Sequence, residues 1–215
     1  MGISADLSVY YGRAGWLTRL AKGVYARPDR PLELHASLCF LENQIPGLHV
    51  GGKTALEWRG ICQYVYQHSA LDLYSWDWRP LPNWFLQDFP ATLARKRLFK
   101  ERPHEMIGVE PMTRENKSPS VSTAERAFLE LLSEVGVSES LQEAKEIAEL
   151  TDTFRSGLLQ QLLNGCESVK TVRLCLALGN ELSLPWAKKL KTEGLQRGSD
   201  RPWVSRRGGS LLVLR

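Results

Sequence analysis

The amino-acid sequence predicts an α+β protein, with a helix-and-hairpin module at the amino terminus and a mixed, helix-rich domain after it. Three observations predict this. A helical segment over 4–14 runs straight into an alternating, glycine-centred segment over 15–27. Two strand-like runs occupy 71–76 and 106–112, and from residue 122 onward apolar stripes at helical spacing dominate.

Taken in order, Ser4 is a helix N-cap with Asp6 in the favourable first turn. Spacings of four and three put Leu7, Tyr11 and Ala14 on one face, leaving Ala5, Ser8, Val9, Gly12 and Arg13 on the other. Residues 15–27 alternate apolar and polar side chains about Ala21, Lys22 and Gly23, the pattern of a short hairpin turning at the glycine. Pro28 and Pro31 then break the pattern, so a domain boundary is expected near residue 30, dividing the chain into 1–30 and 31–215. A helix over 32–45 follows, with Pro31 in the first helical position.

Leu71 to Trp76 and Met106 to Met112 are the expected strands, with a short helix over 81–89 between them. Residues 114–121 read as a polar internal linker ending at Ser122, which with Glu125 forms a capping box. Phe128, Leu131, Leu132 and Val135 make one apolar stripe, and Leu141 to Leu150 another. A third helix, over 158–163, stops at Asn164 and Gly165, and a fourth turns Val172, Cys175, Leu176 and Gly179 to a core. Residues 206–214 read as a lone terminal strand.

The chain has 215 residues, 43% hydrophobic and 24% charged, enough for one ordinary domain and a small appendage. No apolar run approaches the ~20 residues of a membrane span, and Asp6 and Arg13 interrupt any signal-peptide core, so a cytoplasmic location and no membrane partner are expected. Cys39, Cys62, Cys166 and Cys175 lack C-x-x-C spacing and sit in apolar surroundings, the pattern of reduced, buried thiols. The net charge of +4 is segregated: local balances are +3 over 1–30, −3 over 31–94, +3 over 95–117, −5 over 118–185 and +6 over 186–215. Basic ends attract polyanions by counterion release; the alternative is a solvated basic surface.

A helix feeding a basic hairpin is the back half of a winged helix-turn-helix, whose helix enters the major groove and whose wing rests on phosphate. The candidate DNA contacts are Ser8, Val9, Gly12 and Arg13 on the helix, with Arg19, Lys22 and Arg27 on the wing. The alternative is an ordinary helix and hairpin packed on the larger domain. Lys188, Lys189 and Lys191, after Trp186, are candidate contacts to a partner or nucleic acid.

Gly47 to Thr54 fits the phosphate-loop pattern G-x-x-x-x-G-K-[ST], which would make the chain a P-loop NTPase. A phosphate loop must follow a buried strand, whereas 32–45 has helix periodicity and ends at Pro46, so Lys53 is expected to be dispensable to the fold. His35, His49, His68 and His104 have no metal or nucleophile-elbow spacing, and Asp72 and Asp77 lie too far apart for a tight carboxylate pair. Neither an enzyme, a cofactor nor a metal is expected.

Five blocks in order, 15–28, 51–60, 122–132, 166–178 and 186–190, resemble the AbiEi family of antitoxins from type IV toxin-antitoxin systems. The resemblance implies a winged helix that represses its own operon by binding inverted repeats. It also implies a carboxy-terminal antitoxin domain that counters a co-encoded nucleotidyltransferase-like toxin, often without a stable complex. Only three residues precede Ser4, so the first helices of the winged helix are expected to be missing and DNA affinity to be reduced. A DNA-binding regulator without an antitoxin role is the alternative function.

Overall fold

The computed structural model describes residues 4–61, 70–113 and 118–198, and the backbone of two strands at 203–207 and 210–214. Cys62 and His68 lie outside the described residues, as does the first half of the expected linker at 114–121.

Helix α1, Ala5–Arg13, is capped as the sequence predicts, with the Ser4 hydroxyl accepting the Leu7 amide. It ends in a Schellman turn. Gly15 takes φ +79°, the Trp16 amide reaches back to the Tyr11 carbonyl and the Gly15 amide to that of Gly12. The Trp16 and Tyr11 rings close the turn with centroids 6.4 Å apart. Strands β1, Thr18–Ala21, and β2, Val24–Ala26, form the expected antiparallel hairpin with Gly23 at φ +75°. Leu20, Ala21 and Val24 pack against the main core, which seats the hairpin on the larger domain.

That domain is built on a five-stranded mixed sheet of order β5-β4-β3-β7-β6. Its members are β3, His49–Val50; β4, Leu71–Ser75; β5, Ala91–Arg95; β6, Val109–Pro111; and β7, Ser120–Ser122. Strands β4 and β5 run parallel through α4, Asn83–Asp88, and the two-residue β3 joins β4 to β7 at the centre. Helices α2, Leu34–Glu42, and α3, Gly52–Trp58, flank β3 in sequence.

Helix α5, Ala124–Glu134, is the axis of the molecule, with every residue from Glu125 to Ser133 buried. Around it stand α3 and the later helices α6, Leu141–Ala148; α7, Ser156–Gly165; and α8, Val169–Glu181. Phe128, Leu131, Leu132 and Val135 are buried as the stripe predicts, and Val172, Cys175 and Gly179 are buried on α8, with Leu176 half-buried beside them. Trp186 packs on α8 ahead of a single 3₁₀ turn, Ala187–Lys189.

Several expectations are corrected. Helix α2 starts at Leu34, so Pro31 lies outside it. The expected linker runs into β7, and α5 starts after Thr123. No Ser122–Glu125 capping box forms, because Ser122 donates to Glu130 and Glu125 instead accepts from Arg155. A buried carboxylate claims the Ser122 hydroxyl and a distant arginine claims Glu125, which leaves neither for a local cap. Helix α7 runs through Asn164 and Gly165, and the carboxy-terminal segment is an antiparallel hairpin of β8, Trp203–Arg207, and β9, Ser210–Leu214, in place of a lone strand. Strands β3, β5 and β7 are additions to the expected elements: β3 has two residues, too few to show a period of two.

Candidate nucleic-acid interface

Exposure along α1 corrects its orientation. Leu7 and Ala14 are exposed, while Ser8, Tyr11 and Gly12 are half-buried. Gly12 faces the hairpin, since a Cβ there would sit 3.7 Å from the Tyr25 ring. The helix is thus rotated by about one residue, with the hairpin as a packing partner for its Gly12 side. Ser8 and Gly12 fall on the inner half, and Val9 and Arg13 on the outer.

Arg13, Arg19, Lys22 and Arg27 are all exposed. Arg19 lies along its own strand, its Nε donating to the Ala21 carbonyl at 3.4 Å, where the hairpin register shifts. Among the described residues no acidic side chain ion-pairs with any of the four. The structure therefore places a helix end and a hairpin tip on one small module, with four cations directed to solvent. Lys188 and Lys189 are exposed on the 3₁₀ turn; Lys191 is exposed just beyond it, its amide donating to Gln160 Oε1 at 2.7 Å. The side chains of Arg201, Arg206 and Arg207 lie outside the described residues.

The phosphate-loop pattern has a different use. Its strand, β3, lies inside the motif, and the Gly52 amide donates to Glu130 Oε2 at 3.2 Å. Thr54 accepts the Asp72 amide at 2.9 Å. Lys53 is ion-paired with Glu139 at 2.9 Å and Glu143 at 2.8 Å. Gly52, Lys53, Thr54 and Glu139 border a cavity of about 330 Å3 that also presents Glu57 and Asp72. Burial raises the Asp72 carboxyl, and burial with Asp72 nearby raises that of Glu57. A triphosphate would meet carboxylates there, with the amide, hydroxyl and lysine already engaged.

The groups that sequence reasoning missed form a buried ionic centre under the sheet. Glu130 Oε1 accepts from His49 Nε2 at 2.9 Å and from Arg126 Nε at 2.8 Å, while Oε2 accepts from Ser122 and Gly52. His49 Nδ1 faces the Gly47 carbonyl at 2.8 Å, so both ring nitrogens lie at hydrogen-bond distance from an oxygen. Arg126 also pairs with Glu101 at 2.6 Å and lies over the Phe99 ring. Burial would raise the Glu130 carboxyl, but His49 and Arg126 outweigh it and hold it at about 2. Within the motifs, the signal was a Glu four residues after an Arg on a helix that also carries an apolar stripe. Among the described residues no group of His, Cys, Asp and Glu is arranged to hold a metal ion, and no helix is long and apolar enough to cross a membrane.

A small basic helix-and-hairpin module seated on an α+β domain with a helical axis defines a regulator-type architecture. The chain belongs to the AbiEi antitoxin family of type IV toxin-antitoxin systems. Residues 68–213 match the family described as "Transcriptional regulator, AbiEi antitoxin, Type IV TA system", and residues 1–67 its "AbiEi antitoxin N-terminal domain". Among solved structures, the chain is similar to the RV2827C protein from Mycobacterium tuberculosis, with 13% identity and a TM-score of 0.58. That match covers 95% of this chain and 78% of the other, and at that identity it speaks to the fold. No curated protein matches the chain.

Proposed function

We propose that this protein is the cytoplasmic antitoxin and autorepressor of a type IV toxin-antitoxin operon. In this reading residues 1–30 bind the inverted repeats of the operator, and residues 31–215 counter a nucleotidyltransferase-like toxin without needing a stable complex. The observation that carries the DNA-binding half is the set of exposed cations, Arg13 at the helix end and Arg19, Lys22 and Arg27 along the hairpin from strand to turn to base. Arg13, with Val9 beside it on the outer half of α1, serves base edges; Arg19, Lys22 and Arg27 serve phosphate. The exposed Lys188, Lys189 and Lys191 are a second contact, to a partner or to nucleic acid.

Duplex DNA from upstream of the gene is the probe. Replacing Arg19 and Lys22 with alanine should weaken binding and lower the salt dependence by about one unit for each phosphate no longer neutralised. Unchanged affinity in variants at Arg13, Arg19 and Lys22 would remove the module from the reading. For the antitoxin half, the neighbouring gene product is co-expressed and growth is scored. Changing Lys188, Lys189 and Lys191 together to glutamine should reduce rescue or DNA affinity while the melting temperature holds; a fully active triple variant makes that segment plain surface.

A further inference from the structure

Strands β4 and β5 run parallel and end together, Ser75 pairing with Arg95. The segments that leave them are neighbours, and they carry Trp76, Trp78 and Arg79 on one side and Lys96 and Arg97 on the other. Trp78 is 79% exposed, a rare state for the side chain with the most to gain from burial. Its turn is pinned. The Asp77 amide donates to Ser75 Oγ at 2.9 Å, and Arg79 returns to Asp77 through its own amide, Nε and Nη2 at 2.9, 2.9 and 2.6 Å. An indole held at the tip of a fixed turn loses little freedom when something covers it.

Beside it, Trp76 packs on Gly47, where a Cβ would stand 2.7 Å from the ring. The Arg97 guanidinium carbon lies 5.3 Å from the Trp76 centroid, a cation–π pair that holds a flat cation at the surface. Arg95, Lys96 and Lys100 are exposed along the same stretch. Of the acids here, Asp77 is engaged by Arg79 and Glu134 by Lys96; Glu167 borders Lys96 and Arg97, and the five cations Arg79, Arg95, Lys96, Arg97 and Lys100 still outnumber these acids around two indoles.

We propose that this face binds single-stranded nucleic acid, with a base stacked on Trp78 and phosphates met by Arg95 and Arg97. Exposed aromatics interleaved with cations suit unpaired nucleotides, whose bases offer free faces; in a duplex those faces are already stacked on each other. The surface lies on residues 75–97, apart from the amino-terminal module, so it stands independently of the operator reading.

The test uses the full chain and fluorescein-labelled oligouridylate and oligothymidylate of about 15 nucleotides, a length within the usual span of one such surface. The parent binds both, and Trp78→Ala and Arg97→Gln each weaken binding about tenfold, while Trp78→Phe keeps most of it. Operator duplex affinity holds in these variants, and Lys22→Ala gives the opposite pattern. An unchanged melting temperature in Trp78→Ala shows that the fold is intact. The proposal is overturned if the parent binds neither strand, if both variants bind as the parent does, or if Trp78→Leu binds as well as Trp78→Phe. The last result would mean that apolar area, and not base stacking, holds the strand.

Discussion

Glu130 Oε1 and His49 Nε2 lie 2.9 Å apart across 81 residues of sequence, with both side chains almost wholly out of solvent. The pair ties the axial helix α5 to the central strand β3, and Arg126 shares the same oxygen. Removing one partner of such a centre leaves an uncompensated buried charge. Glu130→Gln, equal in size, should therefore cost about 3–5 kcal/mol, read from the urea midpoint. A loss under about 1 kcal/mol would show that the cluster is weakly coupled.

The same carboxyl makes an acid-limb prediction. Its ordinary value is 4.5 and its folded value about 2, so the unfolded chain binds this proton and the native chain does not. The stability it contributes is complete above about pH 4.5 and is lost as pH falls toward about 2. Unfolding curves of Glu130→Gln should be flatter than those of the parent over that window; parallel curves would contradict the assignment.

Lys53 cross-links α3 to Glu139 and to Glu143 on α6, so the expectation of a dispensable lysine is revised. Burial opposes its charge, yet the two glutamates outweigh burial and hold its ammonium above the ordinary lysine range. Lys53→Ala should destabilise by about 2 kcal/mol, and by much less in a Glu139→Gln, Glu143→Gln background. Equal losses in the two backgrounds would mean that the ion pairs contribute nothing.

Gly179 lies under Trp186: a Cβ there would be 2.6 Å from Cη2 of the indole and 2.9 Å from the Ala187 Cβ. The ring cannot easily retreat, because its Nε1 donates to Thr151 at 3.2 Å within the core. Gly179→Ala should cost about 1–3 kcal/mol, with a lower melting temperature and altered tryptophan fluorescence. A melting temperature equal to that of the parent would mean the ring repacks freely.

Burial pushes the Cys166 thiol up to about 11, and that of the fully buried Cys175 higher still. Both should resist iodoacetamide in the native protein at neutral pH and react on unfolding, as followed by peptide mass mapping. Half-buried Cys39 is the internal comparison. Rapid native labelling of Cys175 would contradict its place in the core.

By itself the sequence determined the local elements and the family. The Ser4 cap, the Gly23 turn, the α5 stripe and the family blocks each depend on neighbours within a dozen residues, and period and turn chemistry are written at that range. Tertiary structure alone decided the rest. A two-residue β3 exists only because β4 and β7 pair with it, and α1 turns Gly12 inward because the hairpin lies against it. The motif glycines and lysine at 47–53 met Trp76, Glu130, Glu139 and Glu143 in place of phosphate. Around α5 the reason is burial: it takes Glu125, Arg126 and Glu130 out of water, and beyond the i,i+4 Arg126–Glu130 pair they have to be completed by His49, Glu101 and Arg155 from distant segments.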